Sequence, residues 1–307
     1  MKKVLSIVVA VITSVTLLAG CGKKEVVKTS LKFGTLPAES AIPIIVAKEK
    51  GFFEKEGLDM ELVAFNSPND RNIAVQAGKI DGTIADVMTS LTFHEAGFPM
   101  KITSDINEDF KLLTSPNSNI DSFEKLNNKD VSIVPNFVLE YIMDEIAARN
   151  NIKYNVVVIP SISARFEALL QDKVNAVVFT EPQATLLESQ GAKVIASSKE
   201  YGIKAGTFLF NEKIIKEDPK AVKAFYKAYN EAVEYINKTN PSEYSEVLSN
   251  YSFPPIVTKY LSGEAKYIKA GKIDNETFES VLKWSKSKGL VKKDYKFEDV
   301  SNFKFIE

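Results

Sequence analysis

The stretch that decides the fold runs from Leu31 to Asp86 and reads LKFGTLPAESAIPIIVAKEKGFFEKEGLDMELVAFNSPNDRNIAVQAGKIDGTIAD. Apolar runs at its start, at Met60 to Phe65 and at Ile80 to Ala85 predict three short strands, and the segments between them have helical periodicity. Strand, helix, strand, helix, strand is typical of an open parallel sheet. The sequence therefore indicates an α/β protein, and ligands bind such sheets in the loops beyond the carboxyl ends of the strands.

Three loops occupy that position in this stretch. They are Leu36 to Ser40, Asn66 to Asn69, and Asp86 to Thr89. Ser40 is predicted to cap the first helix, and Gly51 is predicted to end it.

The same pattern returns 94 positions later without a gap. The matched pairs are Phe65 and Ile159, Ser67 and Ser161, Arg71 and Arg165, Ala74 and Ala168, Lys79 and Lys173, Ile80 and Val174, Asp81 and Asn175, and Asp86 and Thr180. Shared periodicity would match apolar positions but not Ser, Arg and Lys as well. We interpret the two stretches as copies of one α/β unit, because two copies are too few for a solenoid. Two such lobes leave a cleft between their loop-bearing edges as the expected binding place.

The chain begins with the features of an export signal. Met1-Lys2-Lys3 is basic, an apolar run follows, and Leu18-Ala19-Gly20 precedes Cys21, the only cysteine. Residues 1–20 are predicted to be a signal peptide. Cys21 is predicted to be lipidated, with residues 21–30 as a tether. A cleaved signal with an unmodified thiol is the alternative.

Composition limits the remaining possibilities. A single cysteine allows no intramolecular disulfide. The chain has 39 basic and 40 acidic residues, whereas nucleic-acid binding calls for a strongly basic face. About 285 residues would remain after cleavage, enough for two lobes. We place lobe 1 at residues 31–114 plus 206–307 and lobe 2 at residues 115–205. Pro219 to Lys238 is predicted to be a helix whose aromatic stripe belongs to the core.

Several motifs carry a family resemblance. The segment AKEKGFFEKEGL at Ala47 to Leu58, QAGKID at Gln76 to Asp81, and FTEP at Phe179 to Pro182 closely resemble bacterial ABC-transporter solute-binding lipoproteins of the sulfonate, nitrate, taurine and thiamine-precursor branch. The resemblance implies a two-lobed type II periplasmic binding protein fold, each lobe an open, mostly parallel sheet flanked by helices. It implies a monomer that closes over a small organic solute and delivers it to a permease with a cytoplasmic ATPase. The chain would be anchored through Cys21 on the extracytoplasmic face, with no catalytic activity and no cofactor.

The candidate ligand-binding residues lie on the strand-end loops of both lobes. They are Pro37, Ala38, Glu39, Ser40, Asn66, Ser67, Asp86, Val87, Met88, Asn136, Phe137, Ser161, Thr180 and Glu181. A helix N-terminus on the first loop would suit an anion, but Glu39 would repel one if it faced the cleft. Asp86 is either a helix cap or an acceptor for an amino group, and Phe137 offers a ring for stacking.

Other residues are weighed differently. Arg71 and Arg165 are paired by the repeat and are assigned to structural service, with an anion clamp as the alternative. His94 is the only histidine, and the chain has no cluster that could bind a metal. Scarce arginine, Glu39 and Asp86 favour a planar or amine-bearing solute such as a pyrimidine over a strongly anionic one.

Two further functions stay open. One is an enzyme like the eukaryotic relative that makes the thiamine pyrimidine, whose chemistry in the family depends on a histidine and a lysine with a pyridoxal cofactor. The other is an extracellular sensor domain that does not transport.

Overall fold

The computed structural model describes residues 29–263 and 266–306. The predicted signal peptide, Cys21 and most of the predicted tether lie outside these residues. Thr29 and Ser30, which we expected to end the tether, instead begin the first strand.

Ten strands occur in the described residues, and most lie within two residues of their predicted bounds. The strands are β1 Thr29–Thr35, β2 Leu58–Ala64, β3 Gly82–Asp86, β4 Met100–Asp105, β5 Lys111–Thr114, β6 Lys129–Ile133, β7 Tyr154–Val158, β8 Ala176–Phe179, β9 Lys193–Ser197 and β10 Gly206–Asn211.

Thirteen α-helices and three 3-10 turns pack around these strands in the described ranges. The helices are α1 Ile42–Glu49, α2 Phe52–Lys55, α3 Pro68–Gln76, α4 Val87–Glu95, α5 Phe123–Leu126, α6 Val138–Arg149, α7 Ile162–Leu170, α8 Gln183–Ser189, α9 Glu212–Glu217, α10 Pro219–Lys238, α11 Val257–Leu261, α12 Asn275–Ser287 and α13 Phe297–Val300. The 3-10 turns are Glu39–Ala41, Pro241–Glu243 and Glu246–Tyr251.

The strands form two five-stranded sheets with the same plan. Their orders are β2-β1-β3-β10-β4 and β7-β6-β8-β5-β9. In each sheet the fourth strand is antiparallel to its neighbours, and the other pairings that the structure shows are parallel. The predicted α/β fold of two lobes, each with a mostly parallel sheet flanked by helices, is confirmed.

The internal repeat is visible in the structure. Helices α3 and α7 have the same length and begin 94 positions apart. Ser67 accepts a hydrogen bond from the Asp70 amide at the start of α3, and Ser161 accepts one from the Ala164 amide at the start of α7. The two serines therefore occupy equivalent places on equivalent elements.

One prediction about the lobes was wrong. We placed the strand ending at Thr114 in lobe 1, but β5 pairs with β8 and β9 in the second sheet. The chain crosses between sheets at residues 106–110 and returns at residues 198–205. The two crossings are hydrogen-bonded to each other, because the Ser198 amide donates to the Phe110 carbonyl at 2.7 Å. Each antiparallel strand is thus the one that has just crossed from the other lobe.

Three predicted helices are shorter than expected. Ile120 to Leu126 is helical only as α5, Pro254 to Tyr260 gives only α11, and Pro241 to Leu248 forms two separate 3-10 turns. Side chains that bond to the nearby backbone set two of these starts: Ser122 accepts from the Lys125 amide and begins α5 late, and Asn240 Oδ1 accepts from the Ser242 amide at the first 3-10 turn. Ser40 does not cap α1, because Ala41 takes the capping position.

The C-terminal region packs back on lobe 1, as predicted. The bounds of α10 agree with the prediction, and Phe225, Tyr226 and Tyr229 are buried in the core beside α1 and β1. Helix α12 lies against α4 of lobe 1. Within the described ranges, no helix combines the length and apolar character that a membrane crossing needs.

Helix α12 also reaches lobe 2. The indole of Trp284 donates to Asp144 of α6 at 2.9 Å, and Lys288 forms ion pairs with Asp144 at 2.8 Å and Glu140 at 2.7 Å. The Tyr141 hydroxyl lies 2.9 Å from the Ser280 hydroxyl. This group, which we call the α12–α6 joint, ties the two lobes together away from the crossings.

Candidate functional site: the interlobe cavity

A cavity lies between the two sheets, at the ends of their parallel strands. The centre of a water molecule can explore about 100 Å³ of it, which is room for a small organic molecule, since one bound water needs only about 10–15 Å³ on that measure. The lining comes from both lobes and is mainly apolar. Its residues are Leu36, Pro37, Ala38, Ser40, Pro68, Arg71, Ile84, Ala85, Asp86, Ile106, Glu108, Phe110, Val134, Phe137, Val138, Leu139, Ile162, Arg165, Val178, Phe179, Thr180 and Gln183.

Six of the fourteen predicted ligand residues line this cavity. They are Pro37, Ala38, Ser40, Asp86, Phe137 and Thr180. The others lie near it but face elsewhere. Glu39, Val87, Met88 and Glu181 are buried behind the lining, Ser67 and Ser161 cap helices, and Asn66 and Asn136 are exposed.

Asp86 has the capping role that the sequence offered as one alternative, whereas its role as acceptor for an amino group stays a prediction. It ends β3, its Oδ1 accepts from the Thr89 amide at 2.7 Å as the cap of α4, and it lines the cavity. Its Oδ2 accepts from the Val138 amide of lobe 2 at 3.4 Å. Burial raises the pKa of Asp86, and the nearby Arg71 guanidinium opposes that rise. Arg71 and Asp86 therefore compensate each other in charge.

Arg71 is almost completely buried, with 2% of its surface exposed. Its Nη1 donates to the Ile84 carbonyl at 2.7 Å and its Nε to Asn72 at 2.9 Å, while Nη2 is buried without a partner. Burial lowers the pKa of Arg71 to about 10, and Asp86 opposes the change. The guanidinium lies 6.0 Å from the Phe137 ring across the cavity.

Arg165 occupies the equivalent position in lobe 2 and is 3% exposed. Its Nη1 donates to the Ile159 carbonyl at 2.8 Å, and its guanidinium lies 4.7 Å from the Phe179 ring centre. Its Nε is buried without a partner. Burial lowers the pKa of Arg165 to about 10, and no carboxylate opposes the shift. This arginine is thus a buried cation without a compensating anion.

Glu39 does not face the cavity. One carboxylate oxygen accepts from the Asp109 amide at 2.5 Å and from the Thr180 hydroxyl at 3.2 Å, and the other accepts from the Tyr260 hydroxyl. Burial raises the pKa of Glu39 to about 7, although these hydrogen bonds partly oppose the rise. Glu39 therefore connects lobe 1 to the first crossing and to β8, and the expected repulsion of an anion by a cleft-facing Glu39 does not apply.

Glu108 lies on the first crossing and lines the cavity. Its Oε1 accepts from the amides of Ala205, at the end of the return crossing, and Gly206, at the start of β10, both at 2.9 Å, and its Oε2 is buried without a partner. Burial raises the pKa of Glu108 to about 7. The carboxylate holds the two crossings together and leaves one oxygen free of protein donors.

The lobes are in direct contact around the cavity. The Gln183 amide donates to the Pro37 carbonyl, and the Ile162 amide donates to the Asn66 carbonyl at 3.4 Å. With the Thr180–Glu39 and Val138–Asp86 contacts, these bonds join lobe 2 to all three strand-end loops of lobe 1. The arrangement is a closed one.

Sequence reasoning left several lining residues out of its candidate set. Arg71 and Arg165 each lie one helical turn beyond a strand-end loop, so a search limited to the loops passes over them. Their pairing by the repeat was the available signal. Glu108 and Phe110 were missed because the crossing was placed after them, and no local pattern marked Gln183.

Comparison with known proteins identifies the family. The profile of the NMT1/THI5-like family matches residues 39–243, more than half of the chain. The chain belongs to the NMT1/THI5-like family. The match begins on the first strand-end loop, runs through both lobes and ends beyond α10, so it includes most of the cavity lining.

Curated relatives of this chain have two kinds of name. A 4-amino-5-hydroxymethyl-2-methylpyrimidine phosphate synthase from Saccharomyces cerevisiae is 27% identical over 221 residues, which is 65% of this chain and 64% of the yeast protein. The chain thus spans less than two thirds of that relative. A putative aliphatic sulfonates-binding protein from Bacillus subtilis is 26% identical over 247 residues, 76% of this chain and 74% of that protein.

Solved structures establish the fold. The alkanesulfonate-binding protein SsuA from Xanthomonas axonopodis pv. citri, bound to MOPS, has a TM-score of 0.78 at 15% identity over 90% of this chain and 98% of that one. The periplasmic nitrate-binding protein NrtA from Synechocystis PCC 6803 has a TM-score of 0.72 at 17% identity over 89% of this chain and 84% of that one. The fold is that of periplasmic binding proteins.

Proposed function

We propose that this chain is the extracytoplasmic solute-binding component of an ABC importer. It captures a small organic solute, of sulfonate, nitrate or pyrimidine-precursor type, between its lobes and presents it to a permease with a cytoplasmic ATPase. In this proposal residues 1–20 direct export, a lipid on Cys21 anchors the monomer to the membrane, and lobe 2 carries the half of the cleft supplied by residues 111–197.

The observation that carries the proposal is the cavity itself. It is lined by both lobes, and four of its lining residues, Arg71, Arg165, Glu108 and Gln183, each have a buried polar atom without a protein partner. Unpaired buried polar groups cost free energy unless something binds them, so a solute held there would stabilise the closed arrangement. If the lobes separate to admit the solute and close over it, the loaded protein differs in shape from the empty one, and a permease can distinguish the two.

The synthase is the second candidate, because relatives with that name cover much of the chain. A pyridoxal cofactor would need a lysine amine for its Schiff base, and the described lining contains neither a lysine nor a histidine. His94 is instead half-buried, with its Nδ1 2.9 Å from the Ser90 carbonyl and its ring against Tyr295. The residues present do not fit that cofactor, which favours binding without turnover.

Native mass spectrometry of the purified protein, before and after mild denaturation, tests the proposal. We expect denaturation to release a small molecule whose mass stays the same over repeated cycles of release and rebinding. Adding that molecule back to the protein should raise the melting temperature. The control variant Arg149→Gln should retain the same molecule, because Arg149 is exposed and paired with Glu145 on the surface. Chemical conversion of the released molecule, or Schiff-base absorbance with pyridoxal phosphate, would favour the enzyme. A protein that retains and binds no solute would contradict the proposal.

A further inference from the structure

The two lobes present the same arginine to the cavity but not the same counter-charge. Asp86 follows the third strand of lobe 1, and the residue 94 positions later in lobe 2 is Thr180. Arg71 therefore has a carboxylate at the end of the neighbouring strand, whereas Arg165 has only a hydroxyl there. The duplicated unit has become electrically asymmetric at its binding edge.

Arg165 is arranged to receive an anion. Its hydrogen bond to the Ile159 carbonyl and its position over the Phe179 ring fix the guanidinium, and its Nε is left buried without a partner. A buried charge without a partner is strongly unfavourable. An anionic group of the solute would supply both the missing charge and the missing acceptor, and guanidinium groups bind such groups with more than one hydrogen bond.

Glu108 offers the opposite chemistry on the same cavity. Two backbone amides hold its Oε1, and its Oε2 is buried without a donor. A buried carboxylate oxygen is stabilised by a donated hydrogen bond, so this position suits an amine or a ring N–H. Arg165 belongs to lobe 2 and Glu108 to the crossing, so a solute that bound both would span the cavity.

The surface between these two groups is apolar and partly aromatic. Phe110, Phe137 and Phe179 line it together with Val134 and Val178. Aromatic rings pack well against a flat body, and a long charged chain would leave its own polar groups unsatisfied there.

We propose that the solute is dipolar, with an anionic group bound by Arg165, a nitrogen donor bound by Glu108, and a compact apolar body between them. The inference rests on the proposed solute-binding function and narrows it. It differs from the sequence-based expectation of a planar or amine-bearing solute rather than a strongly anionic one, which rested on scarce arginine, Glu39 and Asp86.

Two matched sets of probes test this inference by calorimetry and melting temperature at pH 8. One set is 4-(aminomethyl)benzoate, 4-methylbenzoate and 4-methylbenzylamine, and the other is 2-aminoethanesulfonate, ethanesulfonate and ethylamine. Before titration, the wild-type protein is freed of any retained solute by mild denaturation and refolding. In at least one set, the dipolar probe should bind roughly tenfold or more tightly than either singly charged probe, since each charged hydrogen bond contributes about 1.5–3 kcal/mol.

Variants assign the two ends. Arg165→Gln should weaken the dipolar and anionic probes by roughly tenfold or more, and Glu108→Gln should weaken the dipolar probe while leaving the anionic one nearly unchanged. Arg149→Gln should change nothing. If Arg165→Gln does not fold, Arg165→Lys replaces it and should weaken the same probes less, since it keeps the charge without the planar fork.

Three results would overturn the inference: no probe of either set binds, a singly charged probe binds as tightly as the dipolar one, or Arg165→Gln leaves all affinities unchanged. These results differ from failure of the proposed function. A solute released unchanged in the mass-spectrometry experiment would still support binding even if it carried no anionic group or no nitrogen donor.

Discussion

The two lobes share a backbone plan and differ in how they handle the same buried cation. In both, a serine caps the helix after the second strand, and an arginine four residues later is buried at the cavity. In lobe 1 that arginine faces Asp86, and in lobe 2 the equivalent side chain is Thr180. The capping contacts build the fold and have been kept in both copies, whereas the charges at the strand ends have diverged. The repeat thus fixes where the arginine lies in each lobe, and the residue at the strand end decides whether that arginine has a nearby counter-charge.

The largest expected effect comes from removing each arginine in turn. Arg71→Gln would remove the hydrogen bonds to Ile84 and Asn72 and leave Asp86 buried without its nearby cation, a combined loss of about 3–5 kcal/mol. Arg165→Gln loses the hydrogen bond to the Ile159 carbonyl but also removes a buried cation that has no counter-ion, so the free energy of unfolding should fall by about 1 kcal/mol or less. Urea unfolding of the two variants measures the difference.

A double variant sharpens this test. Arg71→Gln combined with Asp86→Thr removes both charges and gives lobe 1 the strand-end residue of lobe 2. It should recover part of the stability lost in Arg71→Gln alone. Equal losses of unfolding free energy in Arg71→Gln and Arg165→Gln would contradict the proposed difference between the two lobes.

A smaller effect depends on pH and arises in lobe 1. In the register of the sheets, Phe33 lies opposite Gly82 and Val131 lies opposite Ala176, so Phe137 is the lobe 2 counterpart of Glu39. The pKa of Glu39 is raised from 4.5 to about 7 by burial. The folded protein therefore binds this proton more tightly than the unfolded chain. The proton on Glu39 therefore adds up to about 3 kcal/mol to the free energy of unfolding. This contribution is fully present below pH 4.5 and is lost as the pH rises through 7.

Glu39→Gln removes this titration, and the measurement is the free energy of unfolding of both proteins between pH 4.5 and 8. The wild-type curve should fall more steeply with rising pH than the curve of the variant. Glu108, whose pKa is also raised to about 7, titrates in both proteins and cancels in the difference. Parallel curves would mean that Glu39 does not titrate as its surroundings require.

The smallest effect is expected where the two lobes agree. Gly97 and Gly191 are 94 positions apart, end the turns after α4 and α8, and have φ angles of +81° and +96°. An alanine in this left-handed region costs about 1–2 kcal/mol, so Gly97→Ala and Gly191→Ala should lower the melting temperature by similar amounts. Asn tolerates the region better, so Gly97→Asn should lose less. A loss at only one glycine would break the equivalence of the repeats there.

Much of the fold could be predicted because periodicity and turn residues are local signals. The repeat was detectable because Ser67, Arg71 and Lys79 recur 94 positions later. The match begins only at Phe65, because the first strands of the two lobes are 98 positions apart instead of 94. The sheet of β5 could not be predicted, since its neighbours are 62 or more positions away in sequence. Because ligands bind beyond the carboxyl ends of parallel strands, Asp86, Phe137 and Thr180 could be predicted to lie at the cavity. The two arginines could not, since their side chains reach the cavity from a helix.

The α12–α6 joint has a practical consequence. Trp284 is the only tryptophan in the chain, and its indole nitrogen is bonded to a carboxylate of the opposite lobe. Excitation at the long-wavelength edge of the absorption band, where the eleven tyrosines hardly absorb, therefore selects one fluorophore at the place where the halves meet. Rapid-mixing fluorimetry should register separation of the halves as a spectral shift, giving opening and closing rates without any attached dye.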